Sequence, residues 1–190
     1  MTQFEYVTTL ASFIVAFGVS RLLAGWVRQY LCRKETPTYP LQLAVSALIL
    51  FALLQNTWAM WLFRNATWTF GHFLLLILVQ LALVGASALI HPPPDYSSSI
   101  RDYYFEVRKA VYGLCVVWIT SGAILDMFFM MTVPGDLPYG LMFSIRGVAF
   151  LVFVFMAWSG RSSHHWAGLT VAGVIQFLWI LGITYNPVAA

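Results

Sequence analysis

Polar side chains that could bind a ligand or an ion interrupt the apolar stretches of this 190-residue chain. A charge at the centre of a bilayer costs at least about 2.5–3.5 kcal/mol on insertion scales, so we expect these groups to face other helices. Small neighbours such as Gly18 and Gly25 favour this arrangement, because small residues let helices approach closely. For the glutamines, hydrogen bonds that only hold helices together are an alternative. The candidate binding residues are Arg21, Gln55, Gln80, Asp126, Arg146 and Gln176.

Asp126 and Arg146 are predicted to meet. At 1.5 Å per residue, Asp126 lies about 7.5 Å and Arg146 about 12 Å from the same end of two consecutive predicted helices. A short connection containing Pro134 and Gly135 joins these helices, so they should be antiparallel neighbours. The pair is interpreted either as a structural ion pair that offsets two insertion costs or as a ligand or ion site.

Arg21 has no acidic residue at its own depth, and Glu5 is more than about 20 Å away along a straight helix. One interpretation is that Arg21 extends toward water and anionic headgroups. The other is that it faces the bundle interior. In that case the buried charges would be two positive and one negative, which favours an anion, an acidic lipid headgroup or a carboxylate ligand.

No catalytic, nucleotide-binding or metal-binding motif is present, so no catalytic residue, metal site or cofactor is predicted, and an enzymatic role is not favoured. The two cysteines form no CxxC pair. None of the histidines is spaced for a zinc site, and all are interpreted as residues at the membrane interface. They are His72, His91, His164 and His165.

The elements that must position these residues are six apolar stretches. Hydrophobic residues make up 61% of the chain and charged residues 9%, with a mean hydropathy of +0.79. Each stretch is close to the roughly 20 residues that a helix needs to cross a bilayer, and none shows the alternation typical of a barrel. The sequence therefore predicts an all-α integral membrane protein, a single bundle of about six transmembrane helices. The predicted helices span 6–31, 41–63, 70–90, 109–131, 138–158 and 166–185.

Basic residues predominate in the loops at one end of this bundle. Arg64 is the only basic residue among the loops at the other end, which also carries Glu5 and Asp136. Because cytoplasmic loops are enriched in Lys and Arg, this asymmetry predicts cytoplasmic basic loops and places both termini on the non-cytoplasmic side, with a bacterial inner membrane as the expected location. The basic loop residues are Arg28, Arg33, Lys34, Arg101, Arg108, Lys109 and Arg161.

The segment 91–108 is predicted to be a cytoplasmic loop with some structure of its own. Ser99 followed by Asp102 is typical of a helix start, and the apolar residues that follow recur at helical spacing. The fourth helix is therefore expected to begin early, as an extension along the interface. Its apolar face is interpreted as resting on headgroups, with docking of a partner as the alternative.

Three classes of function are compatible with these features. We expect a small channel or transporter with a polar intramembrane site that favours anionic ligands. The alternatives are a non-catalytic structural or accessory subunit of a larger membrane complex, and a carrier of an apolar cofactor or a membrane enzyme. The expected partners are membrane lipids and either further copies of the chain or other membrane subunits. Nucleic acid is not expected, because ten basic and seven acidic residues form no basic tract.

Overall fold

Six α-helices make up almost all of the residues that the computed structural model describes, which are 2–34, 37–94, 96, 99–130 and 139–185. This part of the chain contains no strand, which confirms the all-helical prediction. A short 3₁₀ helix, Met60–Phe63, extends the second helix by one turn. The α-helices are α1 (Gln3–Leu31), α2 (Pro40–Ala59), α3 (Phe70–Leu89), α4 (Ile100–Met130), α5 (Tyr139–Trp158) and α6 (Ser162–Tyr185).

Local sequence explains where several helices begin. The Thr2 hydroxyl accepts a hydrogen bond from the backbone N–H of Glu5, and the Glu5 carboxylate accepts one from the backbone N–H of Thr2. Thr69 and His72 form the equivalent pair at the start of α3. Pro40 is the first residue of α2, a position where the backbone N–H would have no partner within the helix, so that proline loses no hydrogen bond there. These contacts satisfy N–H groups that the first turn of a helix leaves unpaired.

Helix α4 begins at Ile100, nine residues before the predicted span, which agrees with the early start that Ser99 and Asp102 indicated. The predicted cap is present, because the backbone N–H of Asp102 donates to the Ser99 hydroxyl at 3.2 Å. The apolar face of this extension packs inside the bundle instead of resting on headgroups. Its residues Ile100, Tyr103 and Tyr104 are buried inside the bundle. Helix α6 likewise begins at Ser162 instead of 166.

The helices form a closed ring. Contacts connect them in the order α1, α2, α6, α5, α4, α3 and back to α1, and α2 also contacts α3 across the ring. One large apolar core fills the middle of the bundle. A smaller core, which includes Trp68 and Phe129, lies near the end of the bundle where α1 and α3 begin. Helices α2, α6, α5 and α4 therefore enclose one side of the molecule, and α1 and α3 border the other.

The outer surface of the bundle is strongly apolar. Five of the described helices are long and apolar enough to cross a membrane, and α5 contributes a shorter apolar stretch, Phe143–Trp158. Large apolar side chains project outward from these helices, among them Phe13, Trp58, Leu151 and Phe177. Apolar surface of this extent is unfavourable in water, which indicates a membrane protein.

Candidate ligand site between helices α2, α4, α5 and α6

Asp126 of α4 and Arg146 of α5 form an ion pair, as their similar depth in the two helices predicted. Arg146 Nη2 donates to Asp126 Oδ2 at 2.6 Å, and their side chains are only 14% and 9% exposed. The geometry is that of a charge-assisted hydrogen bond, in which each charge offsets the desolvation of the other. This confirms the contact, while its role in binding stays a prediction.

The guanidinium of Arg146 lies in a narrow slot. On one side, a Cβ atom added to Gly122 would lie 2.5 Å from Nη1, so the glycine leaves the space that Arg146 fills. On another side, the guanidinium carbon lies 4.9 Å from the centre of the Trp179 ring, within the range of a cation–π contact. Glycine, tryptophan and carboxylate together hold the side chain in one position.

A cavity of about 60 Å³ lies beside this guanidinium. It has room for about four water molecules, if each needs about 15 Å³. Three of the predicted binding residues, Gln55, Arg146 and Gln176, contribute to its wall. The rest of the wall comes from Ala52, Asn56, Ala59, Trp118, Ile119, Ile145, Ala149, Phe153, Ala172, Ile175 and Trp179.

Three of the residues that line the cavity carry N–H groups without an acceptor among the described residues. They are Asn56 Nδ2, Trp118 Nε1 and Arg146 Nε, and all three atoms are buried. A buried donor that lacks an acceptor costs about 1–3 kcal/mol. Three residues of the wall therefore carry an unsatisfied donor, and an acceptor that reached one of these atoms would recover part of this cost.

The cavity has no net formal charge, because Asp126 neutralises Arg146. Arg21 does not contribute, because it is exposed and lies on the other side of the molecule, in a groove between α1 and the end of α3. Of the two interpretations of Arg21, its exposure excludes the one in which it faces the bundle interior. The predicted preference for anions required a second positive charge facing the interior. Arg21 does not supply that charge, so the cavity gives no reason to expect an anionic ligand.

Gln80 is also separate from the cavity. Its side chain is fully buried, and neither its amide oxygen nor its amide nitrogen has a hydrogen-bond partner in the described part of the chain. The interpretation that this glutamine holds helices together by hydrogen bonds was therefore wrong.

The histidines lie at or near the ends of helices, but most of them are inside the protein. His72, His91 and His165 are buried, and only His164 is half-buried. His165 is completely buried beside two tyrosines. The Tyr104 hydroxyl lies 2.7 Å from His165 Nδ1 and 2.6 Å from the Tyr112 hydroxyl. Among the described residues, no group of three or more His, Cys, Asp or Glu could hold a metal ion.

A second buried polar cluster was not predicted, because neither Gln29 nor Gln42 was singled out in the sequence and His91 was interpreted as an interface residue. Gln29 Nε2 donates to Gln42 Oε1 at 2.5 Å and lies 3.4 Å from His91 Nδ1. Burial, together with the nearby charge of Arg28, lowers the pKa of His91 to about 4. The ring is therefore neutral near pH 7. The signal that could have identified this cluster is Gly25, which stands four residues before Gln29 and packs against the His91 ring.

Comparison of the chain with protein-family models, with curated proteins and with solved structures finds no match. The function is therefore inferred from the geometry of the cavity and its wall. Its three unpaired N–H groups and its aromatic surfaces are the features that a ligand would contact.

Proposed function

We propose that this chain is a multi-pass membrane protein that binds a small, uncharged molecule with a hydrogen-bond acceptor in the cavity between α2, α4, α5 and α6. The observation that carries the proposal is the set of three buried N–H donors without acceptors on Asn56, Trp118 and Arg146. A carbonyl, ester or amide oxygen would accept from them. The apolar part of the ligand would lie against the tryptophans and Phe153.

The membrane setting is supported by the apolar outer surface and by the long apolar helices. Loop charge supports an orientation in which the basic loops are cytoplasmic and both termini lie on the opposite side. Transport by the cavity and assembly into homo-oligomers or larger complexes remain predictions. Flux into proteoliposomes and the mass of the purified protein in detergent test them.

Filling the cavity tests the binding site. Ala172→Val adds two methyl groups to the wall, and we expect it to abolish binding while raising stability. At about 24 cal/mol per Å³ of cavity filled, 60 Å³ corresponds to at most about 1.4 kcal/mol. Ala167→Val is the matched control, because it makes the same change on the exposed face of the same helix.

Binding is measured by thermal shift with acetone and 2-methylpropene, two molecules of similar shape that are small enough for the cavity and of which only the first has an acceptor. We expect acetone to bind about five- to tenfold more tightly, since one hydrogen bond to a buried donor is worth about 1–1.5 kcal/mol. Equal affinity for the two molecules would contradict the proposed chemistry. Unchanged binding to Ala172→Val would show that the ligand lies elsewhere.

A further inference from the structure

A groove of about 500 Å³ opens between α1 and the end of α3, at the end of the bundle that carries the basic loops. Arg21 and Arg28 stand two helical turns apart on one face of α1, and both contribute to its wall. The opposite wall contains His91, the three prolines that follow it, and Tyr103. This groove is separate from the cavity of the proposed function and shares no wall residue with it.

The groove is positively charged. Arg21 is exposed, and Arg28 is half-buried and donates a hydrogen bond to the backbone carbonyl of Pro92. Within the described ranges, neither guanidinium forms an ion pair with a carboxylate. Two unneutralised guanidinium groups that face one groove provide several N–H donors in the planar geometry that suits phosphate.

His91 provides a further donor at the same place. Its side chain is 8% exposed, and its Nε2 atom has no hydrogen-bond partner among the described residues. The amide nitrogen of Gln29 faces Nδ1, so Nδ1 accepts and Nε2 carries the hydrogen. Gly25 makes this position possible, because a Cβ atom there would lie 2.3 Å from the His91 ring. An unpaired, buried N–H group therefore lies against Gly25, which stands between Arg21 and Arg28 along α1.

The depth of the groove favours a lipid over a soluble ion. Arg21 lies one helical turn, about 6 Å, deeper along α1 than Gly25, which is level with the end of α3. One turn deeper again on the same face, Phe17 is 60% exposed, and Phe13 continues this apolar strip. Positive charge near the end of the helices, with exposed aromatic side chains directly beneath it, matches the order of phosphate and acyl chain in a phospholipid.

We propose that this groove binds the phosphate of an anionic phospholipid, with Arg21, Arg28 and His91 as donors and an acyl chain along Phe17 and Phe13. A basic residue near a membrane surface contributes about 1 kcal/mol to the binding of anionic lipid. Arg21→Gln should therefore weaken binding about fivefold, and Arg21→Gln combined with Arg28→Gln about 30-fold.

The test is native mass spectrometry of the purified protein in detergent, titrated with dioleoylphosphatidylglycerol, dioleoylphosphatidylcholine or glycerol 3-phosphate. We expect one molecule of phosphatidylglycerol to be retained more tightly than phosphatidylcholine, and we expect glycerol 3-phosphate not to compete with it. Arg21→Lys with Arg28→Lys, which keeps both charges but loses the planar geometry, should bind more weakly than the unchanged protein and more tightly than Arg21→Gln with Arg28→Gln. Arg101→Gln is the matched control, because it removes an exposed arginine at the same end of the bundle.

Equal retention of phosphatidylcholine would overturn the proposal, and so would an equal loss of binding in Arg101→Gln. Competition by glycerol 3-phosphate at the same concentration would assign the groove to a soluble phosphate and overturn the lipid assignment. Arg21 is exposed, so the single variant Arg21→Gln tests the site without disturbing the core.

Discussion

Replacing Asp126 with Asn leaves the guanidinium of Arg146 without its negative partner inside the bundle. At 2.6 Å and an effective dielectric constant of about 20, the attraction between the two charges is about 6 kcal/mol. Most of this only offsets the cost of desolvating them, and removing one partner of a buried pair costs about 3–5 kcal/mol. Because Arg146 borders a cavity that admits water, we expect the lower limit, about 3 kcal/mol.

The two single substitutions should differ in cost. A guanidinium stays charged at any accessible pH, whereas a carboxylate that loses its partner can take up a proton and become neutral. Asp126→Asn should therefore destabilise the protein more than Arg146→Gln. Asp126→Asn with Arg146→Gln should recover much of the loss, because two neutral amides can hydrogen-bond to each other.

Thermal unfolding in detergent measures all three variants as a double-mutant cycle. A loss of about 3 kcal/mol corresponds to a decrease in Tm of about 6–12 °C for a chain of this size. The coupling energy should be about 2 kcal/mol. A coupling energy of zero, or a larger loss in Arg146→Gln than in Asp126→Asn, would refute this account of the pair. Binding of acetone to the stable double variant then shows whether the pair also serves the cavity.

Two further predictions concern buried titratable and hydroxyl groups. The pKa of His91 is lowered to about 4 by burial and by Arg28, whereas the unfolded chain takes up this proton near pH 6.5. Stability should therefore decrease as the pH falls from 6.5 to 4, by at most about 3 kcal/mol, and His91→Gln should remove this part of the dependence. Tyr104→Phe removes the hydroxyl that contacts His165 and should cost about 1–3 kcal/mol in thermal unfolding, whereas the exposed Tyr6→Phe should cost almost nothing.

The ion pair shows how far reasoning from the sequence extends. The rise of a helix is constant, so the distance of a residue from the end of its helix follows from counting. A short connection made two helices neighbours, and equal depth then predicted that Asp126 and Arg146 meet. The start of α4 followed in the same way from Ser99 and Asp102, because capping depends on residues that are close in sequence.

The direction in which a side chain points around the helix axis was decided only by tertiary structure. Sequence neighbours favoured an inward Arg21, but the packing of α1 against α2 and α3 turns it outward into the groove. The contact between Tyr104 and His165 joins α4 and α6, two helices that no single connection makes neighbours. The distance of a residue from the end of its helix is a local property, which can be counted from the sequence. Rotation and neighbourhood depend on how all six helices pack together, and for this reason the cavity with its unpaired donors appeared only in the folded structure.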